Sequence, residues 1–181
     1  MTDKRMISPE AATTPLLGQS LVEDAITRAV NNVCSTMIGH DALMTGHSRE
    51  PLPESSDEGP YVIGSVGFVG EINGIIYLCL PDDFAKFATK ETLGMNDLEL
   101  MEGGNEMISD TIGELTNMTV GGFKNALCDQ GHPCKLTLPT IIRARKLCTG
   151  TSRDGSRIVY HFECHGHEFA ADIQVRIDES G

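Results

Sequence analysis

The sequence predicts an α/β protein in the broad sense, an α+β domain with one mixed or antiparallel sheet packed against helices. Three observations lead to this fold class. Apolar residues recur at helical spacing near the start, two β-rich runs flank the turn pair Asn73-Gly74, and three strand candidates close the chain. The predicted order is α-β-β-α-α-β-β-β. With 181 residues, 40% of them hydrophobic, the chain suits one domain with a substantial core.

The N-terminal part contains a tail, a helix and a loop. Residues 1–15 hold Thr, Pro and charge without periodicity, so we expect a disordered tail, followed by a single domain over 16–181. The first helix spans roughly 16–38, and Gly39 follows as its C-cap. Residues 45–60 are polar and contain prolines, which indicates a loop. The apolar positions of the helix are Leu17, Leu21, Ala25, Val30, Val33 and Met37.

A β-hairpin and two helices follow. The hairpin strands cover about 61–69 and 75–80. Pro81-Asp82-Asp83 starts a short helix that Gly94 ends, because proline suits the first turn and carboxylates suit the positive end of the helix dipole. A longer helix runs from about Asp97 to Leu127. The last three strand candidates are residues 134–146, 156–164 and 168–177.

The charge balance excludes one class of partner. The chain has 14 Lys and Arg against 26 Asp and Glu, a net charge of −12. Phosphate backbones attract cationic surfaces, so nucleic acid is not expected as a partner. No apolar run reaches the roughly 18 residues of a membrane span, and the N-terminus lacks the apolar core of a secretory signal. We therefore expect a cytoplasmic protein without a membrane partner.

The cysteines and histidines leave a further hypothesis open, a metal-dependent or redox sensor. Without a secretory signal, the six cysteines are expected to be reduced thiols. No C-x-x-C pair is present and the spacings match no common zinc module, so we expect no metal site. Cys128 and Cys134 flank the segment 131–133; oxidation could join them, but a simple loop is the favoured interpretation.

One face of the long helix carries chemically informative residues. Asp110, Glu114, Asn117 and Gly121 are spaced i, i+4, i+7 and i+11, which places them on a single stripe. The opposite side holds Met101, Ile108, Ile112, Leu115, Thr119 and Phe123. Each glycine inside a helix costs about 1 kcal/mol relative to alanine. Gly113, Gly121 and Gly122 therefore indicate a close approach of another backbone, a solvated face, or a break near Gly121.

The pattern Asp-x-x-x-Glu-x-x-Asn, formed by Asp110, Glu114 and Asn117, resembles the helix motif of the CheC/CheX/FliY phosphatases of bacterial chemotaxis. The hairpin segment 64–77 resembles the strand–turn–strand of CheX. The order of elements agrees, and Pro139 stands near the position of a family proline. The resemblance covers roughly residues 16–177 and implies the CheC-like fold.

The chain carries one such motif, as CheX does. A second Glu-x-x-Asn, formed by Glu102 and Asn105, has Leu98 where the acidic residue of the motif would stand. On a regular helix, Asn105 also points away from the stripe of Glu114 and Asn117. We interpret this second match as chance.

The resemblance implies an enzyme that dephosphorylates the phospho-aspartate of a CheY-like response regulator in two-component signalling. Asn117 would orient the attacking water and Glu114 would pair with a lysine of the partner. Asp110 would support Glu114, contact the partner or be solvated, while Gly113 and Gly121 would allow close approach. The protein needs no cofactor of its own, since the partner would supply Mg²⁺. A homodimer is expected by the same resemblance. The alternative is a non-catalytic module that binds a response regulator or a motor or signalling protein.

Overall fold

The computed structural model describes residues 18–52, 59–145 and 155–176. The predicted tail over 1–15 lies outside this range. Over the described part of the chain, the structure has three α-helices, one π-helical turn and a seven-stranded sheet. The helices are α1 (Gln19–Val33), α2 (Asp82–Leu93) and α3 (Asp97–Asp129), with the π-helical turn at Cys34–Ile38. The strands are β1 (Ala42–Ser48), β2 (Tyr61–Gly70), β3 (Asn73–Pro81), β4 (Cys134–Leu136), β5 (Thr140–Ala144), β6 (Gly155–Cys164) and β7 (His167–Arg176).

The sheet has the strand order β1-β6-β7-β3-β2-β4, and β5 also pairs with β2. Every strand pair in the described residues is antiparallel. Tight hairpins join β2 to β3 and β6 to β7, as the sequence predicted. The α+β fold class with a single antiparallel sheet is therefore confirmed.

Two details of the predicted element order are wrong. Strand β1 extends into the first part of the predicted loop 45–60, where Thr-Gly-His-Ser does not alternate apolar and polar residues; the strand lies at the sheet edge and pairs with β6 only. The predicted strand 134–146 is split into β4 and β5, which pair with different parts of β2. The split falls at Pro139, which has no N–H to donate to the ladder.

The first helix also differs in detail from its prediction. It begins at Gln19 and its last turn, Cys34–Ile38, is π-helical. Gly39 has φ 82° and ends this turn in the left-handed conformation, so the predicted C-cap is confirmed. No helix in the described residues is both long and apolar enough to cross a bilayer.

One apolar cluster joins the helices to one face of the sheet. It contains Val62 and Val66 of β2 together with Ile112 and Phe123 of α3, all fully buried. Burying a side chain of this size contributes about 1.5–3 kcal/mol, so this layer supplies much of the driving force for folding. The site helix is thereby fixed against the centre of the sheet.

The other face of the sheet contains a buried ion pair. The Arg157 side chain donates through Nε to Oδ1 of Asp172 at 3.0 Å and through a second nitrogen to Oδ2. Both side chains are almost completely buried. Nearby, burial and, to a smaller extent, the Asp172 carboxylate together raise the pKa of the Cys79 thiol to about 12. Cys79 is therefore a protonated core thiol at neutral pH.

Candidate functional site

Helix α3 begins with a capping box. The Asn96 side-chain oxygen accepts hydrogen bonds from the N–H groups of Leu98 and Glu99, at 2.9 and 3.1 Å. The Glu99 carboxylate accepts a hydrogen bond from the Asn96 N–H at 2.9 Å. These bonds satisfy N–H groups that have no partner within the helix. The start of α3 is therefore defined by local sequence.

The helix is kinked at Gly104, where φ is 63° and ψ is −158°. Glycine adopts this backbone conformation at little cost. Met101 precedes the kink and is 79% exposed, so its predicted place on the apolar side is wrong. The kink also separates Glu102 from Asn105, so this second Glu-x-x-Asn does not share one regular helical face.

Beyond the kink, the predicted stripe lies at the surface. Asp110, Glu114 and Asn117 are all exposed, and Gly121 is half-buried. Within residues 18–52, 59–145 and 155–176, no side-chain hydrogen bond or ion pair engages the two carboxylates or the amide. Their spacing places Glu114 and Asn117 next to each other on consecutive turns. A carboxylate and an amide are thus presented together and free to contact another molecule.

Helix α3 also carries three buried threonines. Thr111, Thr116 and Thr119 each donate their hydroxyl to the carbonyl four residues earlier, at 2.9, 2.6 and 2.8 Å. A buried hydroxyl without a partner costs about 1–3 kcal/mol, and these bonds remove that cost. Thr116 can therefore pack closely against the sheet without an unsatisfied hydroxyl.

The closest packing is between Thr116 and Gly64 of β2. A Cβ built on Gly64 would lie 2.0 Å from Thr116 Oγ1 and 2.8 Å from Thr116 Cβ. Only glycine allows this approach of helix to strand. Because Thr116 lies directly beside Asn117 in the chain, this contact sets the height of the exposed stripe above the sheet.

The three helix glycines have different environments. A Cβ on Gly122 would lie 3.2 Å from the Cβ of Ala29, so Gly122 allows the close approach of α1. Gly113 is buried beside Ile141 of β5 and is not part of the exposed stripe. Gly121 has open space around it. Among the glycines predicted to help a partner bind, Gly121 is the one placed with the stripe.

A groove of about 560 Å³ adjoins the stripe. The sequence did not predict this groove. Its apolar lining comes from three elements: Met37, Leu93 and Met107. Glu106, Asp110 and Glu114 line it at intervals of four residues along α3. The i, i+4, i+8 spacing of these carboxylates could have predicted this acidic wall of the groove, but the predicted stripe contained Asp110 and Glu114 without Glu106. The other lining residues are Thr92, Gly103 and Thr111.

Three of the histidines form a ring cluster around Phe87. His165 stacks on Phe87 with centroids 5.1 Å apart, and His40 lies 4.1 Å from His165. His167 also lies against Phe87, and its Nδ1 is 3.2 Å from an Asp83 oxygen. Over the residues with described positions, no group of three or more His, Cys, Asp or Glu side chains is arranged to hold a metal ion.

Comparison with solved structures identifies the fold. A CheC-like superfamily protein from Shewanella sp. PV-4 superposes with a TM-score of 0.73 at 22% identity, covering 88% of this chain and 99% of that one. CheX from Vibrio vulnificus gives 0.72 at 22% identity, with 86% and 99% covered. The CheX–CheY–BeF3–Mg²⁺ complex from Borrelia burgdorferi gives 0.67 at 20% identity, with 86% and 97% covered.

No curated protein sequence matches the chain. A family comparison, however, matches residues 62–163 to the family described as chemotaxis phosphatase CheX. The matched segment is more than half of the 181 residues and includes Asp110, Glu114 and Asn117. The chain therefore belongs to the CheX family of chemotaxis phosphatases.

Proposed function

We propose that this protein is a cytoplasmic phosphatase that hydrolyses the phospho-aspartate of a CheY-like response regulator. The observation that carries the proposal is the exposed pair Glu114 and Asn117, adjacent on a helix that Gly64 and Thr116 fix against the sheet. Family membership supports the reaction class. The complex of the Borrelia burgdorferi relative with CheY supports the kind of partner.

The reaction is an in-line attack of water on phosphorus. The water oxygen forms the new P–O bond, the aspartate carboxylate leaves with the electron pair of the broken bond, and the proton passes to phosphate or solvent. An amide accepts and donates hydrogen bonds at once, so Asn117 can orient this water. Positioning is the main demand of phosphoryl transfer. Glu114 pairs with a lysine of the regulator, and the regulator's own Mg²⁺ stabilises charge on the phosphoryl group.

The groove beside Glu114 supports docking of a whole protein rather than of a small phosphate ester. Glu106, Asp110 and Glu114 place three carboxylates along one wall, and no lysine or arginine lines the groove in the described residues. A partner segment with a basic side chain between apolar ones complements this surface. The net charge of −12 also favours a partner with a basic surface over one with an acidic surface.

The test is the decay of a ³²P-labelled regulator with and without the protein. Asn117→Ala should lower turnover about 100-fold, because the water loses its orienting group, while binding is retained. Glu114→Ala should weaken binding as well as turnover. Asn105→Ala and Glu102→Ala are matched controls, since both residues are exposed on the same helix in the second Glu-x-x-Asn.

The outcomes separate the enzyme from a binding module. Decay that depends on Asn117 and not on Asn105 supports the phosphatase. Binding of a beryllofluoride-treated regulator without any acceleration of decay would support the non-catalytic module instead. Equal rates for the parent and all four variants would contradict the site assignment.

We also propose a homodimer that joins sheet edges. In the described residues β1 pairs on one side only, and Leu43 on it is 68% exposed. At the opposite edge, Leu138 between β4 and β5 and Ile142 of β5 are 88% and 44% exposed. Unpaired edges with exposed apolar side chains favour pairing with another chain. Light scattering should give about twice the mass of 19.6 kDa; a monomer across the micromolar range would refute this.

A further inference from the structure

The turn that follows α3 reverses the chain tightly. The Gly131 N–H donates to the Cys128 carbonyl at 3.0 Å, and the His132 N–H donates to the Leu127 carbonyl at 3.0 Å. Gly131 is left-handed with φ 87°. This pattern of a helix end closed by a left-handed glycine brings residue 132 back beside residue 127. Cys134, two residues later, begins β4, and β4 lies against α3.

The two thiols are neighbours and both are partly accessible. Cys128 and Cys134 are free and half-buried. Burial raises the pKa of the Cys134 thiol, and charge on Cys128 and a hydrogen bond between the two side chains raise it further. The Lys124 ammonium opposes this shift in the pKa of Cys134.

A second thiol pair in the protein provides an internal comparison. The side chains of Cys34 and Cys164 also share a hydrogen bond, and their relative exposures are 5% and 0%. The Cys164 thiol donates to the His40 carbonyl at 3.8 Å. Burial raises the pKa of the Cys34 thiol. An oxidant in solution can reach Cys128 and Cys134 but not this core pair.

We propose that Cys128 and Cys134 are a redox modification site, at which a peroxide converts the two thiols into a reversible disulfide. One thiolate attacks the peroxide, forms a sulfenic acid and releases water or an alcohol after proton transfer. The second thiol then attacks the sulfenic sulfur and releases water. The thiols lose two electrons and two protons in total, and the peroxide is reduced. A dithiol reverses the step by thiol–disulfide exchange.

The bond would connect the end of α3 to the start of β4. Cys134 pairs with Gly70 of β2, so the helix that carries the candidate site becomes covalently tied to the sheet edge. A disulfide that closes a short loop stabilises the folded protein mainly by restricting the unfolded chain. For a domain of this size we expect a rise in Tm of about 5 °C after oxidation.

Peptide masses test the bond directly, because Lys124 and Lys135 bracket both cysteines in one tryptic peptide, 125–135. Folded protein is treated with hydrogen peroxide, denatured, and alkylated before digestion. We expect this peptide to be two hydrogen masses lighter than its dithiol form and to carry no alkyl group. Cys34 and Cys164 should remain thiols during the peroxide treatment and should therefore be alkylated after denaturation. Treatment with dithiothreitol should restore the dithiol mass.

Two results would overturn the proposal. One is a peptide 125–135 in which both cysteines are alkylated or irreversibly oxidised to sulfinic or sulfonic acid after peroxide treatment. The other is a disulfide whose formation leaves Tm unchanged or lowers it, since the bond would then not fit the native turn. Cys134→Ser removes the second thiol and should abolish the rise in Tm. Should this variant not fold, the mass measurement on the parent protein still decides the question.

Discussion

Replacing Gly64 with alanine tests how the sheet positions the candidate site. The added Cβ would lie 2.0, 2.8 and 2.9 Å from Oγ1, Cβ and Cγ2 of Thr116, whereas ordinary contacts begin at 3.4 Å. Thr116 of α3 is fully buried, and its hydroxyl donates a hydrogen bond to the Ile112 carbonyl. Rotation of the threonine does not move its Cβ, so the helix and strand must separate.

The size of the effect follows from these distances. Restoring an ordinary carbon–carbon contact requires a shift of about 1 Å between β2 and α3. Overpacking of this kind costs up to about 3 kcal/mol, which lowers Tm by about 9 °C in a domain of this size. A displacement of about 1 Å in a reacting group lowers turnover about 100-fold. We therefore expect Gly64→Ala to impair both stability and phosphatase activity.

Thermal unfolding and regulator dephosphorylation are measured for Gly64→Ala and for two comparisons. Gly46→Ala is the matched control, because Gly46 also lies in a strand but has nothing within 4 Å of an added Cβ. Thr116→Gly, combined with Gly64→Ala, removes all three clashing atoms and should restore turnover. If Gly64→Ala had the Tm and turnover of the parent, the contact would not position the helix.

Three further predictions concern the opposite sheet face, a buried hydroxyl and the groove. Arg157→Leu leaves the buried Asp172 carboxylate without its guanidinium, so urea denaturation should show a loss of about 3 kcal/mol. Tyr160 has a buried hydroxyl with no hydrogen-bond partner among the described residues, and burial raises its pKa to about 12. A tyrosine in the unfolded chain ionises near pH 10, so the free energy of unfolding falls between about pH 10 and 12, where Tyr160 is still neutral in the folded protein. Tyr160→Phe should remove this contribution to the fall without destabilising the protein at pH 7. Leu93→Asp should raise KM for the regulator about tenfold with kcat retained, whereas Leu43→Asp on edge strand β1, which does not line the groove, should leave KM unchanged; equal effects would show that the groove does not dock the partner.

Local periodicity was sufficient to predict the helical stripe. Glu114 and Asn117 are three residues apart on a regular helical segment, so the sequence alone places them together. Met101 was misplaced because Gly104 interrupts the helix, and residues before a kink do not share the helical phase of those after it. A glycine within a helical pattern does not by itself reveal whether its φ is positive.

The groove could not be predicted, because its lining comes from segments far apart in the chain. Met37 follows α1, Leu93 ends α2 and Met107 lies in α3, and only the folded arrangement brings them together. Strand β1 was missed for a related reason. An edge strand needs apolar side chains on one side at most, and Thr-Gly-His-Ser carries no strong β pattern.

The two faces of α3 divide the requirements of the site between them. The inner face buries threonines that bond to their own helix, so it can approach β2 at Gly64 without leaving polar atoms unsatisfied. On the outer face, Glu114 and Asn117 have no side-chain partner within the part of the chain that the structure describes. A helix held rigidly on one side and unengaged on the other can orient a water molecule without a metal site of its own, provided that the partner supplies the charge. The rigidity of the inner contact is therefore as necessary to the proposed reaction as the amide that meets the water.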